Sequence, residues 1–231
     1  MDAALLVFAK VPRPGNVKTR LTPLLSPSEA ARLYTAFLRD TIRQAQRLSG
    51  ADARLYLAPP LPEGGIDILP AGVSLHEQQG DGLGERMHQA VQDTLDDGYD
   101  RVVLMGSDHP TLPLSFLREA FRALKDPASL CLGPTEDGGF YLMGMNALYP
   151  QLFADMTYSH PDVFADTLAR AEPTDADVTV LPQWYDVDRP ADLNRMLSDL
   201  QKENADAPNT RRMANQLGLQ DLLARRSSET E

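Results

Sequence analysis

Residues 101–110 read RVVLMGSDHP. Arg101 to Met105 is a nearly continuous apolar run, the pattern of a strand covered on both faces. Gly106-Ser107-Asp108-His109-Pro110 ends it, and a helix is expected from Pro113 to Leu124. The same grammar repeats on either side. An apolar run over 3–7 precedes Ser26-Pro27-Ser28-Glu29, where serine as N-cap, proline in the first turn and glutamate three residues on mark a helix start. That helix is expected to reach Leu48, with Gly50 as its stop. Further strands are expected at 54–57, 73–75, 129–132, 140–143 and 178–181. Helices are expected at 85–95, 162–171 and 190–200. Strand–helix alternation of this kind predicts an α/β protein with a mostly parallel sheet and helices on both faces. The repeating unit fills residues 1–202. The stretch 203–231 reads as a polar tail with one short helix over Met213 to Ala224 and a disordered end, Ser227 to Glu231.

The chain has 231 residues, 42% hydrophobic and 24% charged, as in ordinary globular proteins. Its net charge of -11 argues against nucleic acid as a partner, which wants a basic face. One cysteine, Cys131, excludes a disulfide framework and points to a reducing compartment. No run is apolar enough for a membrane span, and MDAALLVFAK does not read as a signal peptide, so a cytoplasmic location is expected.

In an open α/β sheet, ligands bind beyond the carboxyl ends of the strands, so the loops that follow strands are the candidates. The first, FAKVPRPGNVKTRL (8–21), gathers Lys10, Arg13, Lys18 and Arg20 without an acid. Pro12, Pro14 and Gly15 shape it. Lys18 and Arg20 suit phosphate oxygens; the rival reading is a solvated loop. Asp108 can hold a hard divalent cation that also bridges phosphates, or it can cap a helix. Asp186 and Asp188 in YDVD can each supply a second metal ligand, while Asp188 can instead be the N-cap of the helix from Pro190. Glu136-Asp137-Gly138-Gly139 offers a carboxylate for a sugar hydroxyl or for general-base work, or simply a hairpin turn. Gly80 to Arg86 faces a base or ribose, or merely leads into a helix. The four histidines lack zinc spacing; His109 is expected to line the pocket. Cys131 is expected to be buried and inert.

FAKVPRPGNVKTRL, GDGLGERM, GSDHPTLP, LGPTEDGGFYLMG and YDVDRPADL occur in the order found in a GT-A-type glycosyltransferase family linked to arsenosugar biosynthesis. The chain resembles that family over residues 3 to 200. More distantly it is similar to the nucleotide-diphospho-sugar transferase superfamily, which includes nucleotidyltransferases. The resemblance implies a three-layer, Rossmann-like GT-A fold with a mostly parallel mixed sheet, and transfer of a sugar from a nucleotide-diphospho-sugar to a small-molecule acceptor. It implies that Lys10, Pro14, Gly15, Lys18, Thr19 and Arg20 meet the nucleotide diphosphate, with Lys18 and Arg20 also acting in the chemical step. Gly82, Glu85, Arg86 and Ser107 complete the substrate-binding set. Asp108, with Asp186 or Asp188, would hold Mg²⁺ or Mn²⁺. Asp137, Gly138 and Gly139 would face the acceptor, Asp137 as catalytic residue. Family members often carry Trp-Ser-Thr where this chain has Tyr158-Ser159-His160, so Tyr158 marks an acceptor side of its own. Two alternatives stand. One is a nucleotidyltransferase coupling an NTP to a phosphorylated small molecule. The other is a degenerate nucleotide-binding module, suggested by the single carboxylate in Ser107-Asp108-His109.

Overall fold

A computed structural model describes residues 2–61, 66 and 68–228. Seven strands form one sheet: β1 (Ala3–Ala9), β2 (Asp52–Leu57), β3 (Val73–Glu77), β4 (Arg101–Gly106), β5 (Ser129–Pro134), β6 (Phe140–Met145) and β7 (Asp177–Val180). Their order is β3-β2-β1-β4-β6-β5-β7. All neighbours run parallel except β6, which is antiparallel to both β4 and β5. The expected α/β class and mostly parallel sheet are therefore observed. The order reverses between β1 and β4, where Phe8 lies opposite Gly106. At such a switch point the loops beyond two adjacent strands part and leave a crevice.

Strand periodicity builds the layers. Leu5, Val7 and Ala9 of β1, with Val103 and Met105 of β4, enter one core. Ala4, Leu6 and Phe8, with Val102 and Leu104, enter the other. Successive side chains on a strand point to opposite faces, so both faces must be covered. On the first face lie α1 (Pro27–Gln46) and α3 (Leu114–Ala123), through Leu38, Ile42, Leu117 and Ala120. On the second lie α2 (Leu83–Asp96) and α4 (Val163–Ala171), through Met87, Val91 and Ala171.

The start of α1 follows its sequence signal. Ser26 Oγ accepts from the Glu29 N–H at 3.3 Å, and the Glu29 carboxylate accepts from the Ser26 N–H at 2.8 Å. A box of this kind is worth about 1 kcal/mol to the helix. The outer side of α1 is also buried. Ala30, Leu33 and Phe37 form a third core with α5 (Pro190–Leu200), α6 (Pro208–Gln216) and α7 (Leu219–Ser228).

The region after 203 thus differs from expectation. It holds two helices rather than one, and α7 continues through Ser228. Its composition is polar, but Ala207, Ala214, Leu219 and Leu223 are enough to seat it against α1 and α5. Asp40, fully buried in α1, accepts from the N–H groups of Asn209 and Thr210 and so binds the start of α6. The expectation for Glu229 to Glu231 lies outside the described residues.

Candidate active site

The crevice between β1 and β4 opens into a cleft of roughly 870 Å³. The loop after β1 forms one wall. Arg13 to Asn16 close a turn, with the Asn16 N–H on the Arg13 carbonyl at 3.1 Å. Pro14 takes its second position and Gly15 its third at φ 81°, a backbone that type II turns require. Pro14 and Gly15 lie at the exposed tip and shape the loop, outside the cleft lining. Lys10, Asn16, Lys18, Thr19 and Arg20 line the cleft.

Lys18 is left-handed, at φ 49° and ψ 38°. A lysine holds that conformation only where its surroundings over-determine it. Here they do. Its ammonium lies 2.7 Å from Asp108 Oδ1 and 2.8 Å from Asp188 Oδ1. The Tyr34 and Phe37 rings each stand 5.9 Å away. The side chain is 3% exposed, against 42% for Asp108 and 36% for Asp188. Burial opposes the ammonium charge, but the two carboxylates outweigh it and hold the lysine above its ordinary pKa. Arg20 reaches the other oxygen of Asp188 at 3.2 Å and stays 62% exposed.

Asp108 lies just beyond β4, and α3 begins only after an N-cap at Pro113, so its carboxylate caps nothing. Asp188 is not the N-cap of α5 either, contrary to one expectation. Arg189 holds that position, and Asp192 accepts from the backbone N–H groups of Asp188 and Arg189 at 2.9 and 2.6 Å. The Asp188 carboxylate is thereby released to the cleft. Burial opposes its ionisation, but Lys18 and Arg20 prevail and keep it below the usual carboxylate range.

Asp186 also lines the cleft, but its carboxylate lies 2.9 Å from His109 Nδ1. His109 does not line the cleft as expected: it is 4% exposed, beneath Asp186 and the Tyr185 carbonyl. Ser107 hydrogen-bonds the Tyr34 hydroxyl at 2.8 Å, and that hydroxyl accepts from the Lys10 N–H at 3.0 Å. Tyr34 thus ties the ends of β1 and β4 together. Burial raises its pKa to about 12. Tyr34 belongs to no motif; a polar tip on an otherwise core-facing helix stripe is its only sequence signal.

Asp137 sits in a tight hairpin between β5 and β6. The Thr135 hydroxyl donates to its Oδ1 at 2.6 Å and the Gly139 N–H donates at 3.3 Å. The turn reading is observed, and the residue also lines the cleft with Gly139, Tyr158 and His160. Gly138 is pinned: at φ 89°, an added Cβ would stand 1.7 Å from the Pro161 carbonyl oxygen. The hairpin therefore seats the Tyr158–Pro161 segment directly. Glu136 turns away to Arg195 at 2.6 Å.

The stretch 80–86 divides. Arg86 lines the cleft and donates to the Gly80 carbonyl at 2.8 Å. Gly82 is the N-cap of α2. Glu85 accepts from the Asp81 N–H and borders a separate cavity with His88. Cys131 is buried in the first core, with burial raising its thiol to about 12.

Among the described residues, no three His, Cys, Asp or Glu side chains converge as a metal cage. Asp108 and Asp188 nevertheless converge on one cationic point, Lys18 Nζ. Mg²⁺ is commonly held by one or two carboxylates completed by substrate phosphates and water. The pair fits that demand, and Asp186 lines the same cleft with its carboxylate engaged by His109. No helix among the described residues is long and apolar enough to cross a membrane.

A family described as "Uncharacterized protein conserved in bacteria (DUF2064)" matches residues 41–160. The chain belongs to this family. The matched span takes in Asp108 and the Asp137 hairpin but neither Lys18 nor Asp188. A solved structure from Desulfovibrio desulfuricans G20, provisionally described as a nucleotide-diphospho-sugar transferase, is 34% identical; the match covers 96% of this chain and 99% of that one, with a TM-score of 0.86. The 4-diphosphocytidyl-2C-methyl-D-erythritol synthase of Anaerococcus prevotii DSM 20548 shares the fold at a TM-score of 0.57 and 11% identity, over 87% of this chain and 97% of that one. The inositol-1-phosphate CTP transferase of T. maritima does so at 0.51 and 14%, over 92% and 96%. Comparison with proteins of curated function returns no match.

Proposed function

We propose that the protein is a transferase that binds a nucleotide-diphospho-sugar and passes the sugar to a small-molecule acceptor. One observation carries this reading: cations of the first loop meet the Asp108 and Asp188 carboxylates at the switch point, in a cleft whose far wall is the Asp137 hairpin. The Desulfovibrio protein's description supports it. The motif order quoted from the sequence supports the finer placing in the arsenosugar-linked glycosyltransferase branch.

In this reading Arg20 and Lys10 hold phosphate oxygens from the solvent side, as exposed cations on the first loop. Asp108 and Asp188 are the residues that would hold Mg²⁺ or Mn²⁺, which when bound supplies positive charge to stabilise a departing nucleoside diphosphate. Asp137, with Oδ1 fixed by Thr135 and Gly139, offers Oδ2 to the acceptor hydroxyl. The acceptor proton moves to that carboxylate as the acceptor oxygen bonds to the sugar's anomeric carbon. The bond from that carbon to the phosphate oxygen breaks, and its electron pair leaves with the nucleoside diphosphate. Tyr158 and His160 line the acceptor side.

Calorimetric titration with UDP-, GDP-, CDP- and ADP-sugars in the presence of Mn²⁺ tests the reading. Binding of at least one, weakened tenfold or more by Arg20→Ala, is expected. Folded protein that binds none of them contradicts it. Pyrophosphate release from an NTP and a phosphorylated acceptor would move the assignment to nucleotidyl transfer.

A further inference from the structure

We infer that Lys18 is a resident cation of the Asp108–Asp188 pair and makes divalent-metal binding dependent on a bound nucleoside diphosphate. The inference rests on the proposed transferase reading, because it assigns the diphosphate to the same cleft. The sequence resemblance implies a phosphate clamp for Lys18. The geometry gives it another place. Its ammonium is already engaged by two carboxylates at 2.7 and 2.8 Å, and its side chain is 3% exposed. Arg20 takes the second oxygen of Asp188 at 3.2 Å. Two carboxylates therefore face two cations of the chain's own, and the cluster is electrically neutral. Asp186 lies outside this cluster, its carboxylate turned to His109 at 2.9 Å.

A hard cation is held by anionic oxygens. A neutral cluster with a buried ammonium at its focus repels it at close range. A nucleoside diphosphate adds negative charge beside Asp108 and draws Arg20 toward phosphate. The carboxylate pair then has charge to offer the metal. Metal and nucleotide must raise each other's affinity by the same factor, since coupling between two ligands is reciprocal. Lys18 sets that factor. The left-handed backbone of Lys18 and the Tyr34 and Phe37 rings at 5.9 Å keep the ammonium at its post, so the effect is built into the fold.

The test is Mn²⁺ binding by electron paramagnetic resonance, for wild type and Lys18→Met, with and without UDP, GDP, CDP or ADP. In the absence of nucleotide, Lys18→Met is expected to bind Mn²⁺ at least tenfold more tightly than wild type. Wild type is expected to gain at least tenfold when a nucleoside diphosphate that it binds is added. Equal Mn²⁺ affinity of wild type and variant without nucleotide overturns the inference. So does a wild-type affinity that a bound nucleoside diphosphate leaves unchanged, and this arm decides alone if Lys18→Met does not fold. If wild type binds no nucleoside diphosphate, the transferase reading fails, while the nucleotide-free comparison still decides the role of Lys18.

Discussion

Val187 donates its backbone N–H to the Asp108 carbonyl at 3.0 Å. This bond fixes the chain leaving β7 against the end of β4 and delivers the next residue, Asp188, to Lys18. Asp188→Asn keeps the shape and removes the charge. Lys18 then faces one carboxylate where it had two. Breaking a fully buried pair costs about 3–5 kcal/mol and an exposed one below about 1 kcal/mol. Asp188 is 36% exposed, so an intermediate loss of about 1–2 kcal/mol is expected in urea unfolding. A loss under about 0.3 kcal/mol would contradict the pairing.

Arg20 contrasts with Lys18. It touches the same aspartate from solvent, 62% exposed. Arg20→Ala is expected to change stability by no more than about 0.5 kcal/mol. The same change is expected to weaken nucleoside diphosphate binding by about 1.5–3 kcal/mol, the range for a hydrogen bond to a charged group. Calorimetry and urea unfolding on one preparation separate the two effects. A destabilised variant with unaltered nucleotide affinity would reverse the assignment.

Gly138 has no room for a side chain. At φ 89°, with the Pro161 oxygen 1.7 Å from an added Cβ, Gly138→Ala must displace the Tyr158–Pro161 segment or the hairpin. Overpacking of this kind costs about 1–3 kcal/mol, and the positive φ adds to it. Urea unfolding should register that loss, while nucleotide binding, which uses the opposite wall, should persist. A variant as stable as wild type would contradict the packing of the hairpin on Pro161.

His109 carries a pH signature. Burial disfavours its charged ring, but Asp186 at 2.9 Å and the Tyr185 carbonyl at 3.1 Å prevail and raise its pKa above 6.5. In the unfolded chain the proton leaves near pH 6.5. The stability this pair contributes is therefore complete below about pH 6.5 and is lost as pH rises through the higher folded value. His109→Gln removes the dependence. Unfolding free energies measured from pH 5.5 to 8.5 should show wild type losing its advantage over the variant as pH rises. Parallel curves would contradict the pairing.

Much of this fold was legible because its strands carry their own signals. Leu5 to Val7 and Val102 to Met105 are apolar without a break, as strands buried on both faces must be, and Ser26-Pro27-Ser28-Glu29 announces α1. The reversal of β6 was legible only in part. The Asp137-Gly138 hairpin signal turns β6 back on β5, but Phe140 to Met143 reads the same in either direction, and its pairing with β4 joins segments distant in sequence. The helices after 203 were underestimated because a few apolar residues seat them on α1. At the site, spacing placed Lys18, Asp108, Asp137 and Asp188 beyond strand ends, and these do line one cleft. It could not show that Lys18 is buried between two carboxylates, nor that Asp192 relieves Asp188 of helix capping. The first depends on contacts between segments far apart in the chain; the second is local, Asp192 competing with Asp188 for the same helix start. Tyr34 escaped notice for the first reason: its hydroxyl acquires a role only when β1 and β4 meet above it.

The central claim is transfer from a nucleotide-diphospho-sugar, and nucleoside diphosphate release tests it most directly. Wild type and Asp137→Asn are incubated with Mn²⁺, UDP-, GDP-, CDP- and ADP-sugars and a panel of small hydroxylated acceptors, and products are resolved by ion-exchange chromatography. The account predicts a nucleoside diphosphate and a glycosylated acceptor from wild type, with the rate falling about 100-fold or more in Asp137→Asn, the scale of a lost general base. Folded wild-type protein that releases nucleoside diphosphate from none of these donors, with any acceptor in the panel, would contradict it.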